Sequence, residues 1–250
     1  MRDIIINYIR AGYPGLYLVS HEETRAEAEV KAAAQATNHS LAAWSATTGL
    51  VDTGDGRILA GEDPMEAVTS LASLPDDTVA VFRGLHLFLQ DPNPVLVRAL
   101  KDALVHAKAK GKCLVLVGCR RVLPPELERE FTTVELKLPG KQELGVVLDG
   151  ICESAKLKKV KGDARDQILD AATGLTCAEA ENAFALSVVR NRAVTPGTVA
   201  TEKANAIRQN GLLEIVETAQ TLDGIGGLDQ LKGWLLKRQQ AFGQSARDYG

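Results

Sequence analysis

The sequence predicts an α/β fold: a mainly parallel, five-stranded sheet followed by a small helical lid. Three observations carry this expectation. Short β-rich runs alternate with helical patterns through the first half of the chain. Two of those runs, Val79-Ala-Val-Phe82 and Leu114-Val-Leu-Val117, are continuously apolar, as strands covered on both faces are. After Leu138-Pro139-Gly140 the strand signals stop, and only helical signals remain from Gln142 to Asn210.

The elements follow in order. Arg2–Ala11 reads as a helix with Ile5, Ile6 and Ile9 on one face. Leu16–Ser20 is the first strand, and Glu22–Ala36, rich in alanine and glutamate, the next helix. Leu41–Thr47 is the second strand. Pro64–Ser73 opens with proline in the first turn, where its missing N–H costs nothing. Thr78–Phe82 is the third strand. Pro94–Ala109 repeats apolar residues at Val97, Leu100, Leu104 and Val105, and Leu114–Gly118 and Thr133–Leu138 complete the sheet. In the helical part, Gly174 suits a C-terminal cap, and Thr176-Cys-Ala-Glu179 is a capping box. Thr195-Pro196 supplies a cap and a first-turn proline. The expected units are residues 1–140, an α/β core; 141–211, a helical lid; and 212–250, a linker with the helix Leu228–Phe242. That last helix carries Leu228, Leu231, Leu235 and Phe242 as an apolar stripe, which should bury against a partner.

Composition excludes several function classes. The 250 residues are 45% hydrophobic and 24% charged, ordinary for a soluble globular protein. A net charge of −3 provides no general attraction to nucleic acid or anionic lipid, and 4% aromatics argue against a base-stacking platform. No run approaches the roughly 18 apolar residues of a membrane span, and the N-terminal apolar run is too short for a signal peptide. Cys113, Cys119, Cys152 and Cys177 show neither a Cys-x-x-Cys nor a zinc-site pattern, so no metal is expected. A redox pair at Cys113 and Cys119 competes with the plainer reading of free core cysteines in a reducing, cytoplasmic protein.

A parallel α/β core invites a search for phosphate-binding chemistry. A phosphate loop needs Gly-x-x-x-x-Gly-Lys-[Ser/Thr], so that backbone N–H groups wrap the phosphates, lysine neutralises them and a hydroxyl holds magnesium. Gly111-Lys112 is followed by Cys113 and Gly140-Lys141 by Gln142; their upstream glycine positions hold His106 and Glu135. Neither is such a loop. After the first strand the chain reads Ser20-His21-Glu22-Glu23, a Ser-x-x-Glu capping box whose carboxylates would repel phosphate. The strand Thr78–Phe82 ends in Arg83-Gly84, where a magnesium site would need carboxylates. Arg83 reads as a surface residue, a core-rim ion pair or a contact to a neighbouring subunit. Arg120-Arg121 suit a solvated loop or an anion patch. Lys156, Lys158, Lys159 and Lys161 lie in a helix–helix connection without interleaved aromatics, which disfavours nucleic acid. His21, His39, His86 and His106 are scattered without catalytic spacing, and Trp44 and Trp234 read as core or interface residues.

Several segments together resemble one family, the AAA-type ATPases named from a hypothetical chloroplast reading frame of cyanobacteria, plastids and other bacteria. The most specific is Thr221-Leu-Asp-Gly-Ile-Gly-Gly-Leu-Asp-Gln-Leu-Lys-Gly-Trp-Leu235, with Lys237-Arg-Gln-Gln-Ala-Phe242 beyond it, which looks like the opening of an AAA catalytic module. Ile9–Arg25, with Tyr13-Pro14 and Glu22-Glu23-Thr-Arg25, is similar to the family's N-terminal start. Trp44–Leu50 resembles its second strand, and Leu123-Pro-Pro-Glu-Leu-Glu128 its segment before the last core strand. The resemblance implies a degenerate RecA-like/AAA+ module with a helical lid, belonging to a longer protein whose downstream half hydrolyses ATP. Gly250 falls about where that half's phosphate loop would begin. The implied function is non-catalytic: assembly, and engagement of partner or substrate for the downstream module, with neighbouring subunits in a homo-oligomer. The alternatives are an ATPase domain in its own right and a RecA-like nucleic-acid-binding module. No catalytic residue is carried over. Only Ile225, Gly226 and Gly227 can be placed, on the adenine side of the downstream site; ATP and magnesium are expected for the parent protein and no cofactor for this chain.

Overall fold

The computed structural model describes residues 2–209 and 226–239. Two compact units divide the chain, Met1–Lys203 and Ala204–Gly250. The first begins with helix α1 (Arg2–Arg10), strand β1 (Gly15–Val19), helix α2 (Glu23–Ala36) and strand β2 (Ser40–Ser45). Strands β3 (Gly49–Asp52) and β4 (Ile58–Ala60) follow, then helix α3 (Pro64–Ser70), which tightens into a 3-10 turn at Leu71–Ser73. Strand β5 (Thr78–Arg83), a 3-10 turn at Leu85–Leu89, helix α4 (Pro94–Ala109), strand β6 (Cys113–Gly118) and strand β7 (Thr132–Glu135) complete the sheet domain.

The sheet has seven strands in the order β4-β3-β2-β5-β6-β1-β7. The five strands read from the sequence form its parallel part, β2-β5-β6-β1-β7. The expectation of five strands is therefore corrected: β3 and β4 extend the β2 edge in antiparallel register. Their signal is weak because each is only three or four residues long and Thr53-Gly54-Asp55-Gly56 breaks the pattern between them. Gly49 makes the reversal possible: its φ is +68°, and a Cβ there would lie 2.5 Å from the Ala60 carbonyl oxygen.

Alternation along the strands builds two cores. Leu16 and Leu18 join Val79, Val81, Val115 and Val117 under α1 and α2. Tyr17 faces the other way, with Trp44, Phe82, Leu114 and Leu116, under α3 and α4. Strands β5 and β6 are buried along nearly their whole length, which is why they read as unbroken apolar runs. One charge enters this core. Lys112 is 6% exposed, and its Nζ donates to the carbonyls of Leu71 at 2.9 Å, Ala72 at 3.3 Å and Leu74 at 2.7 Å. Those are orphan acceptors of the α3 terminus.

From residue 141 the described chain is helical: α5 (Lys141–Ser154), α6 (Asp163–Ala172), α7 (Cys177–Asn191) and α8 (Pro196–Gln209). Leu144, Leu148, Leu169, Ala180, Phe184 and Val199 are buried in this part. The Thr176–Glu179 capping box is present on α7, and Gly174 takes a left-handed φ of +94° just after α6. The second unit contributes helix α9 (Asp229–Gln239), in which Leu231, Trp234 and Leu235 are exposed, as is Leu228 before it; Phe242 lies outside the described residues. Among the described residues, no helix is long and apolar enough to cross a membrane.

Candidate functional site

In an open parallel sheet, ligands bind beyond the carboxyl ends of the strands where the strand order reverses. Here that point is β1, which lies between β6 and β7 while its own continuation crosses to β2. The turn after β1 is held by Ser20, whose N–H donates to the Gly118 carbonyl at 2.9 Å. The Ser20 hydroxyl accepts the Glu22 N–H at 2.9 Å, and α2 starts only at Glu23. The expected Ser20–Glu23 capping box is thus replaced by a tighter turn, with Glu22 as a cap residue that makes no side-chain cap bond.

The Glu22 carboxylate goes to the helical part instead. Its Oε1 accepts the Cys177 N–H, in the first turn of α7, at 2.6 Å, and its Oε2 accepts Arg25 Nη1 at 2.8 Å. Arg25 also donates to the Lys137 carbonyl and to Glu143 Oε1, both at 2.8 Å. Glu143 Oε2 accepts the Gly140 N–H at 2.9 Å, closing the network on the start of α5. A carboxylate on the positive end of a helix is favourable twice over, through a charge-assisted bond and through the helix dipole. Burial alone would lower the Arg25 pKa, but the Glu143 and Glu22 carboxylates outweigh it and hold the guanidinium above its ordinary range. Burial likewise opposes Glu143, yet the Gly140 N–H and Arg25 hold its carboxyl below the usual range. The Cys177 thiol is pushed up to about 11, by burial first and then by Glu22.

The other strand ends complete the edge. Arg83 pairs with Glu27 of α2 at 3.4 Å, with each side chain 26% exposed, so it is a core-rim ion pair. Tyr17 donates its hydroxyl to the Arg120 carbonyl at 2.7 Å and accepts the Val122 N–H at 3.2 Å, pinning the loop after β6. Arg121 lies 3.8 Å from Glu128, a loop contact. Cys113 and Cys119 stand six residues apart at opposite ends of β6, about 20 Å at strand rise, too far for a redox pair. Lys156, Lys158, Lys159 and Lys161 are exposed between α5 and α6. Among the described residues no group of three or more His, Cys, Asp or Glu side chains suits a metal. Gly226 and Gly227 fall in the second unit, Gly227 with a φ of +74°, while Ile225 lies outside the described residues.

The switch-point edge therefore offers two carboxylates, one of them already bonded to a helix terminus, and a guanidinium paired on both forks. A phosphate loop would present an ammonium and free N–H groups toward the phosphates at this position. Sequence reasoning found the carboxylates but missed Cys177 and Glu143 as their neighbours. The available signal was Arg25, an isolated cation one turn after two acids.

A parallel α/β sheet whose helical appendage docks on the carboxyl edge defines the AAA type of ATPase module. The chain belongs to the SpoVK-like AAA ATPases: residues 1–136 match that family's N-terminal domain and residues 142–210 its second domain. It is 25% identical over 254 residues to the AAA domain-containing protein ycf46 of Trieres chinensis, covering 99% of this chain and 50% of that protein. The ycf46 protein of Guillardia theta is 25% identical over 248 residues, covering 97% and 48%. The chain thus spans about half the length of the curated relatives it matches. In fold it is similar to the FIGL-1 AAA domain solved with ADP, with a TM-score of 0.56 at 14% identity over 96% of this chain and 85% of that one. A DNA replication initiation factor gives a TM-score of 0.51 at 11% identity, covering 83% and 64%.

Proposed function

We propose that this chain is a non-catalytic AAA-type region that serves assembly, and engagement of partner or substrate, for an ATP-hydrolysing module of the same protein. The observation that carries this reading is the Glu22–Cys177 bond: a side chain of the core occupies the helix terminus facing the edge where phosphate would be expected. Arg83-Gly84 at the end of β5, in place of magnesium-binding carboxylates, supports it. On this reading residues 1–140 and 141–211 act as a core and a lid fixed to each other, and residues 212–250 lead into the catalytic module. Ile225, Gly226 and Gly227 would then lie beside the adenine there, where glycines permit close backbone approach. The exposed Leu231, Trp234 and Leu235 of α9 supply apolar surface for that module or for a neighbouring subunit in a homo-oligomer.

Parallel equilibrium titrations with a fluorescent ATP analogue and with single-stranded DNA test the proposal. The expected result is no saturable binding of either. Magnesium-dependent nucleotide binding would favour an ATPase domain in its own right, and DNA binding a RecA-like nucleic-acid module; either would overturn the proposal.

A further inference from the structure

Cys119 and His86 form a pair that neither the fold nor the proposed function uses. Cys119 follows β6 directly and is exposed, whereas Cys113 and Cys152 are buried and Cys177 is partly buried. His86 sits in the 3-10 turn after β5, and only 8% of it is exposed. Its Nε2 lies 3.9 Å from Cys119 Sγ, at the limit of hydrogen-bonding reach for sulfur. Its Nδ1 is buried without a partner, packed so close to Gly118 that a Cβ there would lie 2.6 Å away. Gly118 thus admits the ring, and the exposed thiol is the ring's hydrogen-bonding contact among the described residues. A buried imidazole left this way requires an explanation, and redox or catalytic chemistry is one of the few available.

We propose that Cys119 is a reactive thiol, oxidised reversibly by hydroperoxides, with His86 as the base that takes its proton. Burial, then the Arg120 guanidinium, hold His86 below the usual histidine range against the opposing pull of Glu23, so at neutral pH the ring is a neutral acceptor. Arg120 and Arg121 follow the cysteine directly in sequence, and Arg120 and Glu23 act on His86 while Tyr17 lies beside the cysteine. The other thiols are disfavoured: burial pushes Cys113 up to about 12, and burial with Glu22 pushes Cys177 up to about 11. In the reaction the thiol proton passes to His86 Nε2 and the sulfur attacks the terminal peroxide oxygen. An S–O bond forms as the O–O bond breaks, and the imidazolium returns the proton to the departing oxygen, giving an alcohol or water. Sulfur loses two electrons to the peroxide and becomes a sulfenic acid, which a thiol reductant restores.

The test treats the whole chain with hydrogen peroxide, traps sulfenic acid with dimedone and locates it by peptide mass spectrometry. Cys119 should react about tenfold faster in the native chain than in the urea-unfolded chain, and His86→Asn should remove that advantage. A native rate no greater than the unfolded one, or an unchanged rate in a folded His86→Asn protein, overturns the proposal. A second readout does not depend on the folding of that variant. Cys119→Ser alters only an exposed position, and it should shift the imidazole nitrogen resonances and titration of His86. Unchanged His86 resonances would show that the two side chains are not coupled, and would equally overturn it.

Discussion

The Glu22 carboxylate accepts the Cys177 N–H at 2.6 Å across 155 positions of sequence, and so joins the turn after β1 to the first turn of α7. The Glu22 side chain is only 9% exposed and that of its second partner, Arg25, 18%. The bond is therefore largely shielded from water and worth more than a surface contact.

Removing the carboxylate should cost stability. Glu22→Ala leaves the Cys177 N–H without its acceptor and Arg25 Nη1 with only the Lys137 carbonyl. A hydrogen bond to a charged group contributes about 2 kcal/mol, and a loss of that size is expected in urea unfolding of the whole chain. Glu22→Gln retains an acceptor and should lose less. Equal stability of Glu22→Ala and the unaltered chain would mean that the two parts are held together by apolar packing alone.

Acid should loosen the same junction. Glu143 titrates lower in the folded chain than its ordinary value of 4.5, so the folded state binds its proton less readily than the unfolded state does. Its contribution is therefore complete above about pH 4.5 and declines as pH falls through the folded value. Arg25, held above its ordinary range, remains charged throughout that window. Thermal unfolding followed down the acid limb should show a shallower decline in Glu143→Gln than in the unaltered chain. Parallel limbs would assign acid lability to other carboxylates.

Lys112→Met should destabilise the sheet domain although methionine is the more apolar residue. The substitution leaves the Leu71, Ala72 and Leu74 carbonyls without the ammonium that serves them. Each buried acceptor left unsatisfied costs about 1–3 kcal/mol, and water admitted to the gap would recover part of this. A rise in melting temperature would show that the desolvation cost of Lys112 outweighs its three bonds.

The parts legible in the sequence were those set by local physics. β5 and β6 are buried on both faces, so Val79–Phe82 and Leu114–Val117 had to be continuously apolar. α4 runs from Pro94 to Ala109, the bounds set by its first-turn proline and its apolar repeat, and Thr176 caps α7 through Glu179 as its spacing required. β3 and β4 escaped because Leu50-Val51 and Ile58-Leu59 are apolar runs too short to show a period. The junction escaped for a different reason. Ser20 and Glu23 satisfy a local capping rule, but the partners of Glu22 and Arg25 lie in α7 and α5, which no local rule brings to β1.

The most direct measurement is amide hydrogen exchange at Cys177, with and without magnesium and ATP. If Glu22 holds this N–H and the edge receives no phosphate, the amide exchanges slowly, is unaffected by nucleotide and speeds up in Glu22→Ala. A change in Cys177 exchange on adding magnesium ATP, or fast exchange in the unaltered chain, would contradict the account.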